Sequence, residues 1–534
     1  MPDEDAQKPQ IEAEENELLR VRRAKLAKLI ADGEQPYKPR FGSPGELEHA
    51  EDLAAEFASL EPGASSGRTT AVAGRLIARR EHGKATFVDI KDSSGKIQLL
   101  LRHDAIGEEL YSRFAELDIG DWIGATGEVV RSRRGELSVA VASYELLSKS
   151  LRPLPEKWHG LKDREQRYRQ RYLDLLMSDE ARWVLESRAK MIKEIRAFLD
   201  ERGFIEVETP MLQPIPGGAT ARPFATFHNA LGIDLYMRVA PELYLKRLLV
   251  GGYEKVYELN RNFRNEGISS RHNPEFTMLE AYQAFVDYSY LMGFLQELIT
   301  RAIVSVRGST EFEFGGRQIS LADPWEKITM VEALAKYAGL QLGALQEADR
   351  WKAVAAEHEI EVPAAAGTGW IINELYEKLV EPQLLQPTFV TDYPEEVSPL
   401  ARKNPDMPGF TERFEILIAG QEIANAFSEL IDPIDQRARL ESQAAKRAAG
   451  DEEAQPLDED FLTALEYGMP PAGGIGIGID RLAMLATGCQ NIKDVIIFPH
   501  LRPRQQTKTM SAGASIVPPE SDDLQGRSIH PDVE

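Results

Sequence analysis

The sequence predicts an α+β chain in which a small closed β-barrel precedes a larger domain built on an antiparallel sheet flanked by helices. Three observations predict it. From 70 to 148, five short β-rich runs (TAVAGRLIARR, ATFVDIKD, KIQLLLR, DWIGATGEVVRS, LSVAVASYELLS) recur between turns, with SSG at 93 to 95 joining two of them. Residues 180 to 202 then form an amphipathic helix with Met191, Ile195, Phe198 and Leu199 on one face, stopped by Gly203. Beyond it, KVYELNRNF, EFTMLEAYQAF, RFEILIAG and QEIANAFSEL are strands whose short connections favour antiparallel pairing. Five strands in some 80 residues suggest a small closed barrel, of which the OB-fold is the commonest that binds oligonucleotides; the alternative is a barrel used only as a spacer.

In order, residues 1 to 15 read as a disordered acidic start and 16 to 66 as a helical extension, with a helix over 16 to 32 ending at Gly33. EPGASSGR at 61 to 68 marks a boundary, so 67 to 150 form the barrel and 151 to 180 a hinge. Residues 181 to 503 form the larger domain, with helices filling roughly 328 to 382, and the aperiodic 504 to 534 read as a disordered tail. Within the larger domain FIEVETP is a strand ending at Pro210, and 234 to 252 pass from strand to a helix starting at Pro241.

The 534 residues allow three or four structural units at roughly 150 each. The single cysteine, Cys489, excludes an internal disulfide and a cysteine-based zinc site, and fits a reducing compartment. No secretory signal and no apolar run of about 18 residues is present, so the chain reads as cytoplasmic, with no membrane partner. A net charge of −23 argues against a surface coated for nonspecific DNA binding. Yet residues 68 to 150 carry 13 basic against 12 acidic side chains, which makes the barrel the place for a polyanion. Residues 18 to 29 add Arg20, Arg22, Arg23, Lys25 and Lys28, read either as phosphate contacts or as a solvated helix face.

Three constellations point to nucleotide chemistry. FRNEG and RHNPEF flank a loop carrying Arg264, Glu266, Arg271, His272 and Asn273, cations for a triphosphate and an acceptor for a purine. Along the following strand, period two places Phe276, Met278, Glu280 and Tyr282 on one face, and an inward Glu280 calls for a cation. Glu415 and Glu422 lie either side of a turn at Ala419 and Gly420, a hard-oxygen pair suited to phosphate-bound Mg²⁺. Asn425, Phe427 and Glu429 share the next face. GGIGIGIDR at 473 to 481 departs from a dinucleotide fingerprint at Ile479. Its glycines read instead as room for a ligand, followed by an arginine.

PGGATARPF, RVAPELYLKR, FRNEG, RHNPEF, IANAFSEL and GIGIDR, in this order, resemble the signature motifs of the class II aminoacyl-tRNA synthetases, most closely the bacterial members that charge lysine. The resemblance runs from about residue 16 to 503. It implies an antiparallel-sheet catalytic domain, an OB-fold that reads the anticodon, and a homodimer built partly through GFIEVETP. It implies ATP, L-lysine and tRNA(Lys) as substrates, joined through a lysyl-adenylate, with Mg²⁺ as cofactor. Carried over by position, Arg264 bridges the α-phosphate and the lysine carboxylate, Glu266 accepts from the adenine amino group, and Phe276 stacks on the adenine. His272 and Asn273 take the outer phosphates, Arg481 takes the γ-phosphate, and Glu415 and Glu422 hold Mg²⁺. Gly218 and Glu242 receive the α-amino group and Asn425 the carboxylate side, beside Phe427. Glu280, Tyr282 and Glu429 surround the ε-ammonium. In the barrel, Phe87 and Gln98 match anticodon positions, with Glu136 as a third. For Phe87 the alternative is a barrel-core aromatic.

Three rivals are weighed. A relative charging aspartate or asparagine would want a cation where this chain has Glu280 and Glu429. An enzyme passing the lysyl group to a protein or lipid would resemble the catalytic domain alone or carry a membrane segment. A non-catalytic nucleic-acid-binding regulator would have lost a carboxylate or arginine of the second or third motif, and all are present.

Overall fold

The computed structural model describes residues 4–42, 45–155, 163–341, 348–363 and 366–503. The expectations for residues 504–534 and for part of the 151–180 hinge fall outside them. The described chain divides into two compact units, Met1–Asp179 and Glu180–Glu534.

In the first unit, helix α1 (Glu4–Ala31) precedes a closed barrel of strands β1 (Ser65–His82), β2 (Ala85–Lys91), β3 (Lys96–Arg102), β4 (Trp122–Arg131) and β5 (Leu137–Ser148). The strands run in the order β1-β2-β3-β5-β4. Strict alternation sends Val88, Ile90, Leu99 and Leu101 into the barrel core and their neighbours outward. The disordered start expected over 1–15 is corrected for residues 4–15, because the helix reaches back to Glu4, while residues 1–3 lie outside the described residues. Glu, Ala and Gln are strong helix formers, and acids at a helix start are favoured by its dipole.

The basic residues of α1 serve mainly to dock it. Arg22, only 8% exposed, donates to the carbonyls of Ile119 (3.0 Å), Ser150 (3.3 Å) and Arg152 (3.0 Å). Lys25 pairs with Asp118 and Lys28 with Glu116, each at 2.6 Å. The reading of this stretch as a row of phosphate contacts is therefore corrected for Arg22, whose guanidinium is taken up by these carbonyls. A cation whose N–H groups are satisfied by buried carbonyls has little left for a polyanion.

The second unit is organised by an eight-stranded sheet. Its strands are β6 (Ile205–Glu206), β7 (Lys255–Phe263), β8 (Glu275–Ala284), β9 (Glu326–Thr329), β10 (Thr388–Thr391), β11 (Arg413–Ile418), β12 (Gln421–Ser428) and β13 (Ala472–Gly478). The order is β9-β10-β11-β12-β13-β8-β7-β6. The centre is antiparallel as expected, but β6–β7 and β9–β10 pair in parallel, so the sheet is mixed. Each edge pair is joined by a long connection containing helices, the kind of link that parallel neighbours require. Helices α2 (Asp179–Asp200), α4 (Tyr288–Arg307) and α5 (Ile479–Thr487) seal one face of the sheet over Leu279, Ala281, Ile475 and Ile477. The other face is left for ligands. Helix α3 (Glu242–Val250), starting at Pro241 as expected, stands beside that open face.

Arg22→Ala should strip three carbonyls of their donor and destabilise the α1–barrel contact by about 2 kcal/mol. Hydrogen exchange around residues 116–121 and 149–152, which α1 contacts, should accelerate, and Arg22→Lys should recover little of it, because an ammonium cannot span three carbonyls as the planar fork does. Unchanged protection would show that α1 is held by other means.

Candidate active site

The open face of the sheet lines a cavity of about 990 Å³. Along β8 the alternation turns Phe276, Met278, Glu280 and Tyr282 toward it, as the period-two reading predicts. Glu280 is 4% exposed and accepts from the Tyr282 hydroxyl at 3.2 Å. Burial, followed by the nearby Glu242 charge, pushes its carboxyl up to about 8. Such a group is stabilised by an incoming cation, because an ammonium would remove the cost of burying its charge. Glu242 lines the same end, next to Gly218. Glu429 stands one step behind the wall: it is 2% exposed, its Oε1 has no hydrogen-bond partner among the described residues, and its Oε2 lies 2.5 Å from Lys246 Nζ.

Glycine makes that carboxylate reachable. Gly474 lines the cavity, and a Cβ there would lie 2.1 Å from Glu429 Oε1 and 2.6 Å from Tyr282 Cε1. Sequence reading took the glycines of β13 as a group; only the sheet register shows that Gly474 is the one facing Phe427 on β12 and Tyr282 on β8.

At the other end, β7 and β8 hold the loop with Arg264, Glu266, His272 and Asn273, all of which line the cavity. The Arg264 guanidinium lies 5.2 Å from the centre of the Phe276 ring. Its Nε is buried without a partner, and it makes no ion pair among the described residues, which suits it to an anionic ligand. Glu266 is exposed at the rim. Burial, and then the Arg481 charge, lower the His272 pKa, so the ring is neutral near pH 7. Its Nε2 faces Arg481 Nη2 at 3.2 Å and its Nδ1 faces Ser269 Oγ at 3.0 Å, an arrangement satisfied when Nδ1 carries the proton. The Asn273 amide is used within the chain: Nδ2 donates to Glu275 O (2.5 Å) and Oδ1 accepts from His500 N (3.2 Å). This residue shapes the loop before it meets any ligand.

The β11–β12 hairpin turns through Ala419 (φ 56°) and Gly420 (φ 68°), and its register shift at Ile416/Leu417 brings Glu415 and Glu422 to the cavity. Burial first, then the Glu422 charge, raise the Glu415 carboxyl. Two arginines answer them: Arg413 Nη2 lies 2.6 Å from Glu415 Oε1, and Arg481 Nη1 lies 3.0 Å from Glu422 Oε2. Arg413 was missed from the sequence, being one strand arginine among many. It also donates to Asn425 Oδ1 at 3.0 Å, which leaves the Asn425 NH₂ as the group that can meet a carboxylate. Asp480, next to Arg481, is itself fixed, accepting from Thr277 N (2.7 Å) and Arg188 Nη1 (2.5 Å).

In the barrel, Phe87 and Gln98 lie on the outer face of β2 and β3, alternating with core residues. Phe87 is half-buried, 6.5 Å edge-on to His82, and belongs to no core cluster. Gln98 is 7% exposed and its Oε1 accepts from Ser138 Oγ at 3.0 Å. Glu136 is exposed and precedes β5, outside the strand expected for it.

Residues 163–502 match the model of the tRNA synthetases class II (D, K and N), and residues 70–147 match an OB-fold nucleic acid binding domain. The lysine–tRNA ligase of Pelotomaculum thermopropionicum is 56% identical over 493 residues, covering 92% of this chain and 96% of that one. Those of Moorella thermoacetica and Bacillus subtilis are 54% and 48% identical, each over 92% of this chain and 99% and 98% of their own. The chain belongs to the class II tRNA synthetases, among the lysine–tRNA ligases. For a synthetase of this family, the cavity combines a carboxylate-lined end with a guanidinium-lined end, as a cationic amino acid and a triphosphate require.

Gly474→Ala should drive Glu429 and Tyr282 apart and weaken lysine by about 100-fold, since displacements near 1 Å cost that much. Calorimetric titration should show ATP binding nearly unchanged. Unaltered lysine affinity would separate Gly474 and Glu429 from recognition of the amino acid.

Proposed function

We propose that this enzyme attaches L-lysine to tRNA(Lys) in two steps in the one cavity. The lysine carboxylate attacks the α-phosphorus of ATP, forming lysyl-adenylate and releasing diphosphate. A ribose hydroxyl of the tRNA end then takes the lysyl group and AMP leaves. The observation that carries the reading is the buried set Glu280, Tyr282 and Glu242, with Glu429 behind Gly474, facing an arginine-lined end. A substrate with a side-chain carboxylate would set like charges together there, which disfavours aspartate.

The attacking carboxylate is already ionised, so the first step asks for position and charge neutralisation and no general base. Arg264, without an internal ion pair, is assigned to the lysine carboxylate and α-phosphate, with Asn425 NH₂ as second donor. Phe276 receives the adenine ring, Glu266 its amino group, and His272 and Arg481 the outer phosphates. Among the described residues no cluster of three or more metal-ligating side chains occurs. Glu415 and Glu422 nonetheless fit Mg²⁺ that takes its remaining oxygens from phosphate and water, because their mutual repulsion is what a divalent cation would relieve. Bound there, the ion supplies charge neutralisation to the triphosphate.

The barrel is assigned to the anticodon through the outer face of Phe87 and Gln98, with Glu136 at its margin. We further propose a homodimer: Ile205, Leu212, Phe227, Leu231 and Ile233 are all exposed around the first motif, more apolar surface than a lone chain favours. No described helix is long and apolar enough to cross a membrane, and we place the reaction in the cytoplasm.

Pyrophosphate exchange measured with each standard amino acid in turn should depend on lysine, and exchange driven by another amino acid would overturn the assignment. Glu422→Gln should slow exchange by about 100-fold or more and raise the Mg²⁺ requirement, with the fold intact. Full activity at limiting Mg²⁺ would remove the metal role. Phe87→Ala should cost about 1 to 3 kcal/mol in tRNA charging and leave exchange without tRNA unchanged. Loss of both activities together with thermal stability would return Phe87 to the barrel core.

A further inference from the structure

Lys246 lies on α3 one turn beyond Glu242, and its side chain is fully buried. Its Nζ is 2.6 Å from Glu242 Oε1 and 2.5 Å from Glu429 Oε2. The rings of Phe427 and Phe461 close around it at 5.5 and 6.0 Å. One ammonium thus joins two carboxylates that belong to different elements, α3 and the end of β12, at the amino-acid end of the cavity.

We propose that Lys246 is a positioning residue for substrate length: by pinning Glu242 and Glu429 to a single buried ammonium, it fixes the separation between the groups that receive the α- and ε-ammonium ions. The inference rests on the assignment of those two carboxylates under the proposed function. A flexible pair of recognition points could close on a shorter diamine acid, whereas a pinned pair cannot. Discrimination of one methylene is otherwise worth only about 10- to 200-fold.

The charges around Lys246 support the role. Glu242 and Glu429 flank it, Glu280 acts on both of these carboxyls, the Tyr282 hydroxyl lies near all three, and the Arg413 charge reaches Glu242. Burial alone would push the Lys246 ammonium down, but Glu242 and Glu429 overturn this and hold it above the ordinary lysine value. Burial raises Glu429 and Glu242, and Lys246 is the main influence opposing that rise in both. With Lys246 removed that opposition is lost, so both carboxyls would shift further toward their protonated forms, which attract an ammonium less. Raising the pH would ionise them again and restore part of the binding.

The test is lysine- and ornithine-dependent pyrophosphate exchange by the full-length enzyme, comparing Lys246→Met, Lys246→Arg and Glu429→Gln. Lys246→Met should raise the lysine KM by about 100-fold at pH 7 while the ATP KM stays within about twofold, as expected when a buried pair loses one partner. That deficit should narrow between pH 7 and 9, and the lysine-to-ornithine ratio of kcat/KM should fall by about tenfold or more. Lys246→Arg keeps the charge and changes its reach, so the ratio should fall without the altered pH profile. It also decides the question if the methionine variant does not fold. A ratio unchanged in Lys246→Arg, or lysine and ATP losses of equal size in Lys246→Met, would overturn the proposal. If Glu429→Gln leaves the ratio unchanged, the assignment of Glu429 itself fails; if Glu429→Gln shifts the ratio and the Lys246 variants do not, only the positioning role fails.

Discussion

A sheet face that receives a cationic ligand must hold carboxylates away from water, and the architecture of the catalytic unit follows from that cost. Glu280 on β8, Glu415 on β11 and Glu429 just beyond β12 are all nearly buried. Arg413 answers Glu415, and Lys246 answers both Glu429 and Glu242. Glu280, with only a tyrosine hydroxyl, is left raised and ready for an incoming charge. An extra pair, Arg238 with Glu258 at 2.6 Å, is wholly buried behind the same face and neutralises itself. Removing one member of such pairs is costly because the partner stays buried and charged. The site is therefore a balanced set, in which specificity and stability draw on the same residues.

Backbone geometry supplies the other half of the arrangement. The sealed side of the sheet is ordinary packing, with Leu279, Ala281 and Ile477 under three helices. The open side is shaped by missing side chains. Gly474 admits Glu429 and Tyr282 into the space its own Cβ would fill, and the left-handed Ala419–Gly420 turn brings Glu415 and Glu422 back toward each other. The helices give the strands a rigid base, so the charged groups keep their spacing before substrate arrives.

In the N-terminal unit, cations serve assembly first. Arg22, Lys25 and Lys28 fasten α1 to the barrel, and Arg79 similarly donates to the carbonyls of Ala115 and Leu117. On the outer face of the barrel, Phe87 stays half-buried outside the core and Gln98 is held by Ser138. The apolar alternation of β2 and β3 sets their outward placement.

Much of this was legible in the chain. Period-two alternation identified β8 with Glu280 and Tyr282 inward, turn chemistry located the Glu415–Glu422 hairpin, and the order of six motifs pointed to the family. These signals are local, because strand alternation and turn preference depend on neighbouring residues. Partnership across the fold left no such trace. That Lys246 meets Glu429, that Arg188 meets Asp480, and that Asn273 Oδ1 accepts from His500 N follow from elements distant in sequence being packed side by side. Each of these side chains, read alone, looks like any other on an amphipathic helix, strand or loop. The direction in which a charge is satisfied is settled when burial removes water and only the nearest opposite charge remains.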